Sequence, residues 1–305
     1  MGGRHRARAG ARRRPDRILA RLAVGVFALA VIAGGLFVIV TESAGPSDGP
    51  HVAAPAPTLD DPALGNQEQL RVSFDRLDLP APVGLALVPV GGGTPLLLGD
   101  QTPHDAWSTI KVPVALAAER LHGANRAESR ALVDSDNRSA RILMRSLGDP
   151  AQAAAAVTEV LREGHSTTTV QRAADGQWPQ AGETVWPLAD SATWTAHLPC
   201  LAGSAHILEL MSHVGPTQDW GLQQIPGDRT AVKGGWGRND DDSGYVVRQI
   251  GLITLDDGRQ VAVSMSAHAP GMTFDTGGAA LNGLGRWLGA NLALLPAGRC
   301  PTATQ

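Results

Sequence analysis

Apolar positions along this chain fall into two patterns, short unbroken runs and longer stretches with helical spacing, and their order predicts the elements. The first unbroken run, residues 22–40, is 19 residues without a charged side chain. At ~1.5 Å per residue it would cross most of a ~30 Å hydrocarbon core. Residues 41–66 are rich in Gly, Pro, Ala and Asp and show no periodicity, which reads as a tether. Residues 83–90 and 94–99 are apolar runs separated by Gly91-Gly92-Gly93, a hairpin signal. Residues 107–121 are apolar almost all round and predict a buried helix, with Pro113 tolerated only in its first turns. Helices are predicted over 125–134 and 138–147, flanking a polar turn, and over the Ala-rich 150–162. Residues 245–255 and 260–267, divided by Asp256-Asp257-Gly258, predict a second strand pair, and 278–294 a closing helix. Strands near both ends and helices between them predict an α/β (α+β) protein, an order that permits an antiparallel sheet from terminal segments with an all-helical insertion.

Charge changes the picture at the N-terminus. Of 26 basic and 29 acidic side chains, residues 1–21 hold eight and one, a net charge of +7; the remaining 18 and 28 leave the rest at −10. Phosphate binding needs a basic face, and a body of that sign argues against one, so no nucleic-acid partner is expected. Arginines before the apolar run and acids after it place the N-terminus in the cytoplasm and the body outside the cell membrane. The organisation expected is thus a basic cytoplasmic segment (1–21), a transmembrane anchor (22–40), a linker (41–66) and one folded domain (67–300). A cleaved signal, leaving a secreted body, is the alternative. Its apolar part is usually only about 7 to 15 residues and ends in small residues, which Glu42-Ser43-Ala44 fits poorly.

Only two of the basic residues are lysines, Lys111 and Lys233. Arg is effectively always charged, whereas a buried Lys can lose its proton and act as a base. Lys111 follows Ser108 by three positions, a spacing that puts both side chains on one helical face, where an unprotonated amine can take the hydroxyl proton. Downstream come Ser135-Asp136-Asn137, which alone would read as a turn and helix cap, and Lys233-Gly234-Gly235, which alone would read as a glycine-rich strand end.

In this order the three resemble the S-x-x-K, S-D-N and K-T-G set of class A β-lactamases and penicillin-binding proteins, and the likeness extends over roughly residues 68–298. The resemblance implies a β-lactamase/transpeptidase-like fold and a serine hydrolase that forms an acyl-enzyme. Ser108 would be the nucleophile, Lys111 its base and Ser135 the proton relay. Asn137, Lys233 and Gly235 would bind substrate, a β-lactam or a peptidoglycan stem peptide, and no cofactor is implied. Backbone N–H groups at Ser108 and near Gly235 or Trp236 would form the oxyanion hole.

The chain departs from the family's pattern in three places. The E-x-x-L-N sequence whose acid activates the deacylating water is absent; residues 163–183 offer only Glu163, Asp175 and Glu183. Ser135 follows Ser108 by only 27 positions, about half the class A separation, and Gly234 stands in place of Thr. Two readings of function stay open, a hydrolase and a penicillin-reactive or peptidoglycan-binding protein with slow or no turnover. A non-catalytic scaffold would not need all of Ser108, Lys111, Ser135 and Lys233.

Cys200 and Cys300 both fall in the part expected outside the cell, where oxidation favours a disulfide; two free thiols are the alternative. Trp178, Trp186, Trp194, Trp220 and Trp236 are expected in core or lid packing, with one or two able to stack on a sugar or peptide. His104, His165 and His197 read as ordinary surface or helix-end residues. No histidine pair has metal-ligand spacing, so no metal is expected.

Overall fold

The computed structural model of the protein describes residues 62–171, 178, 180–227, 229–238 and 244–302. The basic segment 1–21 and the apolar run 22–40 lie outside them. Among the described residues no helix is long and apolar enough to cross a membrane.

The chain runs through α1 (Pro62–Phe74), β1 (Val83–Pro89) and β2 (Leu96–Gly99), then a 3₁₀ turn (Trp107–Ile110) that continues directly into α2 (Lys111–His122). Next come α3 (Arg126–Val133), α4 (Asn137–Ser146), α5 (Pro150–Glu163), α6 (Leu188–His197) and α7 (Ser204–Ser212). The chain then forms β3 (Thr230–Arg238), β4 (Tyr245–Thr254), β5 (Gln260–Ala269) and α8 (Phe274–Ala290). The five strands form one antiparallel sheet in the order β2-β1-β5-β4-β3. Early β1 pairs along its length with late β5, so the sheet closes around the helical middle of the chain, as the α+β pattern implied.

Antiparallel strands usually alternate apolar and polar residues, but β4 and β5 are buried almost throughout, because both faces of the sheet are covered. Leu85 and Leu87 of β1, with Val263 and Met265 of β5, pack in the core that holds Leu281, Leu284 and Leu288 of α8. Ala86 and Val88 instead join Leu252 and Ala262 against Leu188, Ala192 and Ala196 of α6. Helix α2 is the centre of the second core: Lys111 through Ala118 are all buried, among side chains that include Leu132, Leu143, Val157 and Leu161. Asn125 and Glu128 form a capping box on α3, Asp136 caps α4, and Asp149 and Gln152 box α5. Each such cap is worth about 1 kcal/mol.

Several boundaries differ from the sequence pattern. Helix α1 begins at Pro62, inside the stretch 41–66 read as linker. Helices α6 and α7 were not marked by the apolar pattern. Helix α8 starts at Phe274, capped by Thr273, and not at 278. Its early glycines look like breakers, yet a Cβ at Gly277 would lie 2.6 Å from the Val247 side chain, so glycine there permits close packing on β4. Cys200 and Cys300 are bonded, tying the segment after α6 to the chain's end; the free-thiol alternative falls.

Candidate active site

Ser108 sits in the 3₁₀ turn ahead of α2, where residues three apart eclipse one another, so it stacks over Lys111 more directly than an α-helix would allow. The residue before it, Trp107, has φ +48°, a left-handed backbone that a bulky residue rarely adopts. Packing against β3 holds it there. A Cβ at Gly237 would lie 2.1 Å from the Trp107 ring, and one at Gly235 would lie 2.8 Å from the Ser108 amide nitrogen. The two glycines let the edge strand of the sheet approach the Ser108 backbone. Gly234 points the other way, where a Cβ would meet the Trp220 ring at 2.6 Å. That ring occupies the space a Thr would need.

Both lysines converge on Ser135, itself left-handed at φ +56° in the turn between α3 and α4. Lys111 Nζ donates to the Ser135 carbonyl at 2.5 Å and to Asn137 Oδ1 at 2.7 Å, and lies 3.3 Å from Ser135 Oγ. Lys233 Nζ donates to Ser135 Oγ at 2.9 Å, Gln218 Oε1 at 2.5 Å and the Gly234 carbonyl at 2.8 Å. Among the described residues neither lysine has an ion pair. Burial lowers the Lys111 amine from 10.5 to about 8, against the attraction of Asp136 and with help from the charge of Arg141. Burial, then repulsion from Lys111, pushes Lys233 far down as well. A neutral Lys111 amine satisfies its two carbonyl acceptors with its two N–H groups and keeps a lone pair for a proton. Lys233 is fully buried beneath the strand edge, where it holds the Ser135 hydroxyl.

Two positioning residues carry no motif in the sequence. Gln218, fully buried, accepts from Lys233 and from the Gly234 amide (3.0 Å) and donates to the Leu132 and Val133 carbonyls at 2.8 Å, tying β3 to the segment before Ser135. Being neutral, it holds Lys233 without compensating its charge. Arg248 of β4, 1% exposed, donates to the His104 (3.1 Å) and Asp105 (2.9 Å) carbonyls and to Ser191 Oγ (3.2 Å). The same strip bridges to residues 184–186: Ala106 N donates to the Thr184 carbonyl at 2.8 Å and Trp186 N to the His104 carbonyl at 2.9 Å. A buried guanidinium therefore anchors both the approach to Ser108 and the segment that follows Glu183.

A cavity of about 310 Å³ opens in front of Ser108 and is lined also by Lys111, Asn137, Arg141, Trp236 and Glu183. The structure thus brings together Ser108, Lys111, Ser135, Asn137, Lys233 and Gly235, and adds Glu183, carried by a short 3₁₀ turn (Ala181–Glu183) whose Gly182 packs on the Trp107 carbonyl. Glu163 is elsewhere, paired with Arg120 at 2.6 Å, and Asp175 lies outside the described residues. Trp186, Trp194 and Trp220 are core residues; Trp236 reaches the cavity. Burial, with repulsion from His268 and Arg248, lowers His104 to about 4, so it is neutral at pH 7. Glu119, Glu128 and His206 have ligand-type atoms within 4.8 Å of one another, but none lines the cavity. Glu128 caps Asn125, and His206 bonds Glu119 at 2.9 Å.

No model of a known protein family matches the sequence, and no curated protein matches it. Comparison of folds does find similar structures: the fold is like that of the class A β-lactamases and of PBP-A. The extended-spectrum β-lactamase TLA-1 is similar with a TM-score of 0.59 at 15% identity, over 74% of this chain and 99% of that one. A class A β-lactamase from Bacteroides cellulosilyticus gives 0.59 at 14%, over 75% and 98%. PBP-A gives 0.54 at 18%, over 76% and 97%. The fold is shared, at 14 to 18% sequence identity.

Proposed function

We propose that the protein is a serine hydrolase that acts through an acyl-enzyme on β-lactams or cell-wall D-alanyl peptides, outside the membrane. The observation that carries this reading is the convergence of both lysines of the chain on Ser135, with Lys111 lining the cavity that Ser108 also lines. Ser108 Oγ attacks the carbonyl as Lys111 takes its proton, and the developing oxyanion is held by the Ser108 amide and a β3 amide near Trp236. The proton passes through Ser135 to the leaving nitrogen, while Asn137 keeps Lys111 in place and orients substrate. Lys233, through Ser135, and the backbone around Gly235 hold the substrate carboxylate.

Missing E-x-x-L-N favours a second reading, in which acylation outruns release and the protein acts as a penicillin-reactive or peptidoglycan-binding trap. Glu183 in the cavity is the acid that would separate the two. The test is full-length protein incubated with a fluorescent penicillin. A covalent label mapped to Ser108 and abolished in Ser108→Ala supports acylation; a label that persists in Ser108→Ala removes it. The run 22–40 we read as a retained anchor. The intact protein should then sediment with membranes and be cut by protease added from outside, and a soluble product starting near residue 45 or 55 would refute the anchor.

A further inference from the structure

The face of α4 that looks into the cavity is Asn137, Ala140, Arg141 and Met144, the helical i, i+3, i+4, i+7 stripe. Arg138 and Arg145 flank it, so a ten-residue helix carries three arginines and no acid. All three are exposed. No ion pair among the described residues involves them, in contrast to Arg120, Arg229 and Arg259, which each hold a carboxylate. The nearest acid in sequence, Asp136, is committed to the helix cap through the Ser139 amide at 2.7 Å. Glu183, which also lines the cavity, is engaged in an interaction of its own. Arg145 lies over the Trp178 ring at 5.7 Å, a cation–π contact that steadies this end of the helix. In a body that is net negative, three arginines without an ion pair among the described residues, one of them lining the Ser108 cavity, make this helix face locally positive.

The cavity that Arg141 shares with Ser108 also has an apolar lining from Ile110, Val114, Ala140 and Met144, beside the polar Lys111 and Asn137. Lys233 and the β3 edge serve the leaving side of a substrate, so this lining faces its acyl side. We propose that Arg141, flanked by Arg138 and Arg145, forms an anion subsite at the mouth of the Ser108 cavity, selecting acyl donors that carry a carboxylate on an apolar acyl-side group. This inference rests on Ser108 being the nucleophile. A guanidinium is suited to it, because its planar fork matches a carboxylate in two parallel hydrogen bonds.

The test uses two penicillins that differ by one acyl-side carboxylate, α-carboxybenzylpenicillin and benzylpenicillin. Each is titrated at low salt into full-length Ser108→Ala protein, so that binding is read without chemistry. The carboxylated ligand should bind about tenfold more tightly, the scale of one hydrogen-bonded charge pair. The ratio should fall toward one in Ser108→Ala/Arg141→Gln, be partly kept with Arg141→Lys, and shrink on adding salt. Equal affinities in Ser108→Ala, a preference that survives Arg141→Gln, or no binding of either ligand would overturn the subsite. Labelling of Ser108 in wild type is scored separately. Labelling without preference would retain the hydrolase reading and remove the subsite; preference without labelling would leave an anion site at the cavity mouth and overturn its role in selecting acyl donors.

Discussion

Acylation should follow the deprotonation of Lys111. Burial places this amine at about 8 in place of 10.5. At pH 7 about one molecule in ten then carries a neutral base, against about one in three thousand for an ordinary lysine, a gain of about 300-fold in the reactive form. The labelling rate of full-length protein by a fluorescent penicillin, measured from pH 5.5 to 9.5, should climb about tenfold per pH unit and level off above about pH 8. Because Lys233 shares Ser135 with Lys111, the midpoint belongs to the coupled pair. Lys111→Arg should abolish the limb and slow labelling by about 10² to 10⁴, since a guanidinium cannot serve as base. The same shift sets a stability trend. The unfolded chain holds the Lys111 proton up to about 10.5 and the folded one only to about 8, so the unfolded state binds more protons between those values. Stability should therefore rise with pH across that window, by about 3 kcal/mol from this group, with the full penalty present below pH 8. A rate limb centred near pH 10, a flat profile from pH 6 to 9, or an unchanged limb in Lys111→Arg would refute the assignment of the base.

Gly235→Ala should cut the acylation rate by about 10² or more in the same assay, because its Cβ would stand 2.8 Å from the Ser108 amide that stabilises the oxyanion; a rate within threefold of wild type would contradict that placement. If Glu183 activates the deacylating water, Glu183→Gln should leave the acylation burst and slow steady-state release by about 10² to 10⁴; equal release rates would favour the trap. Removing the disulfide with the pair Cys200→Ala and Cys300→Ala should cost about 4 to 5 kcal/mol in the chain-entropy account, since the cysteines are 100 positions apart. Calorimetry should show Tm lower by about 10 °C or more, and an unchanged Tm would refute a stabilising bond.

Local chemistry was legible along the chain. Ser108 and Lys111 are three residues apart, so any helical turn brings them together, and the two strand pairs announced themselves through apolar runs broken by glycine-rich turns. An arginine-biased sequence with two lysines pointed to both buried amines that meet at Ser135. What the sequence did not contain was distance between segments far apart in it. Lys233 meets Ser135 across 98 positions only because β3 is the sheet's edge and α3 and α4 turn beside it. Gln218 and Arg248 carry no motif, since their work is to satisfy carbonyls and amides whose location exists only in the folded chain. Gly234 looked like a lost Thr until Trp220 was found filling its space, and Gly277 like a helix breaker until Val247 was found against it. Residue type and short spacing are properties of the chain itself, whereas the lowered lysines, the cavity acid and the placing of Arg141 in the same cavity arise from burial and long-range packing, which only the tertiary structure decides.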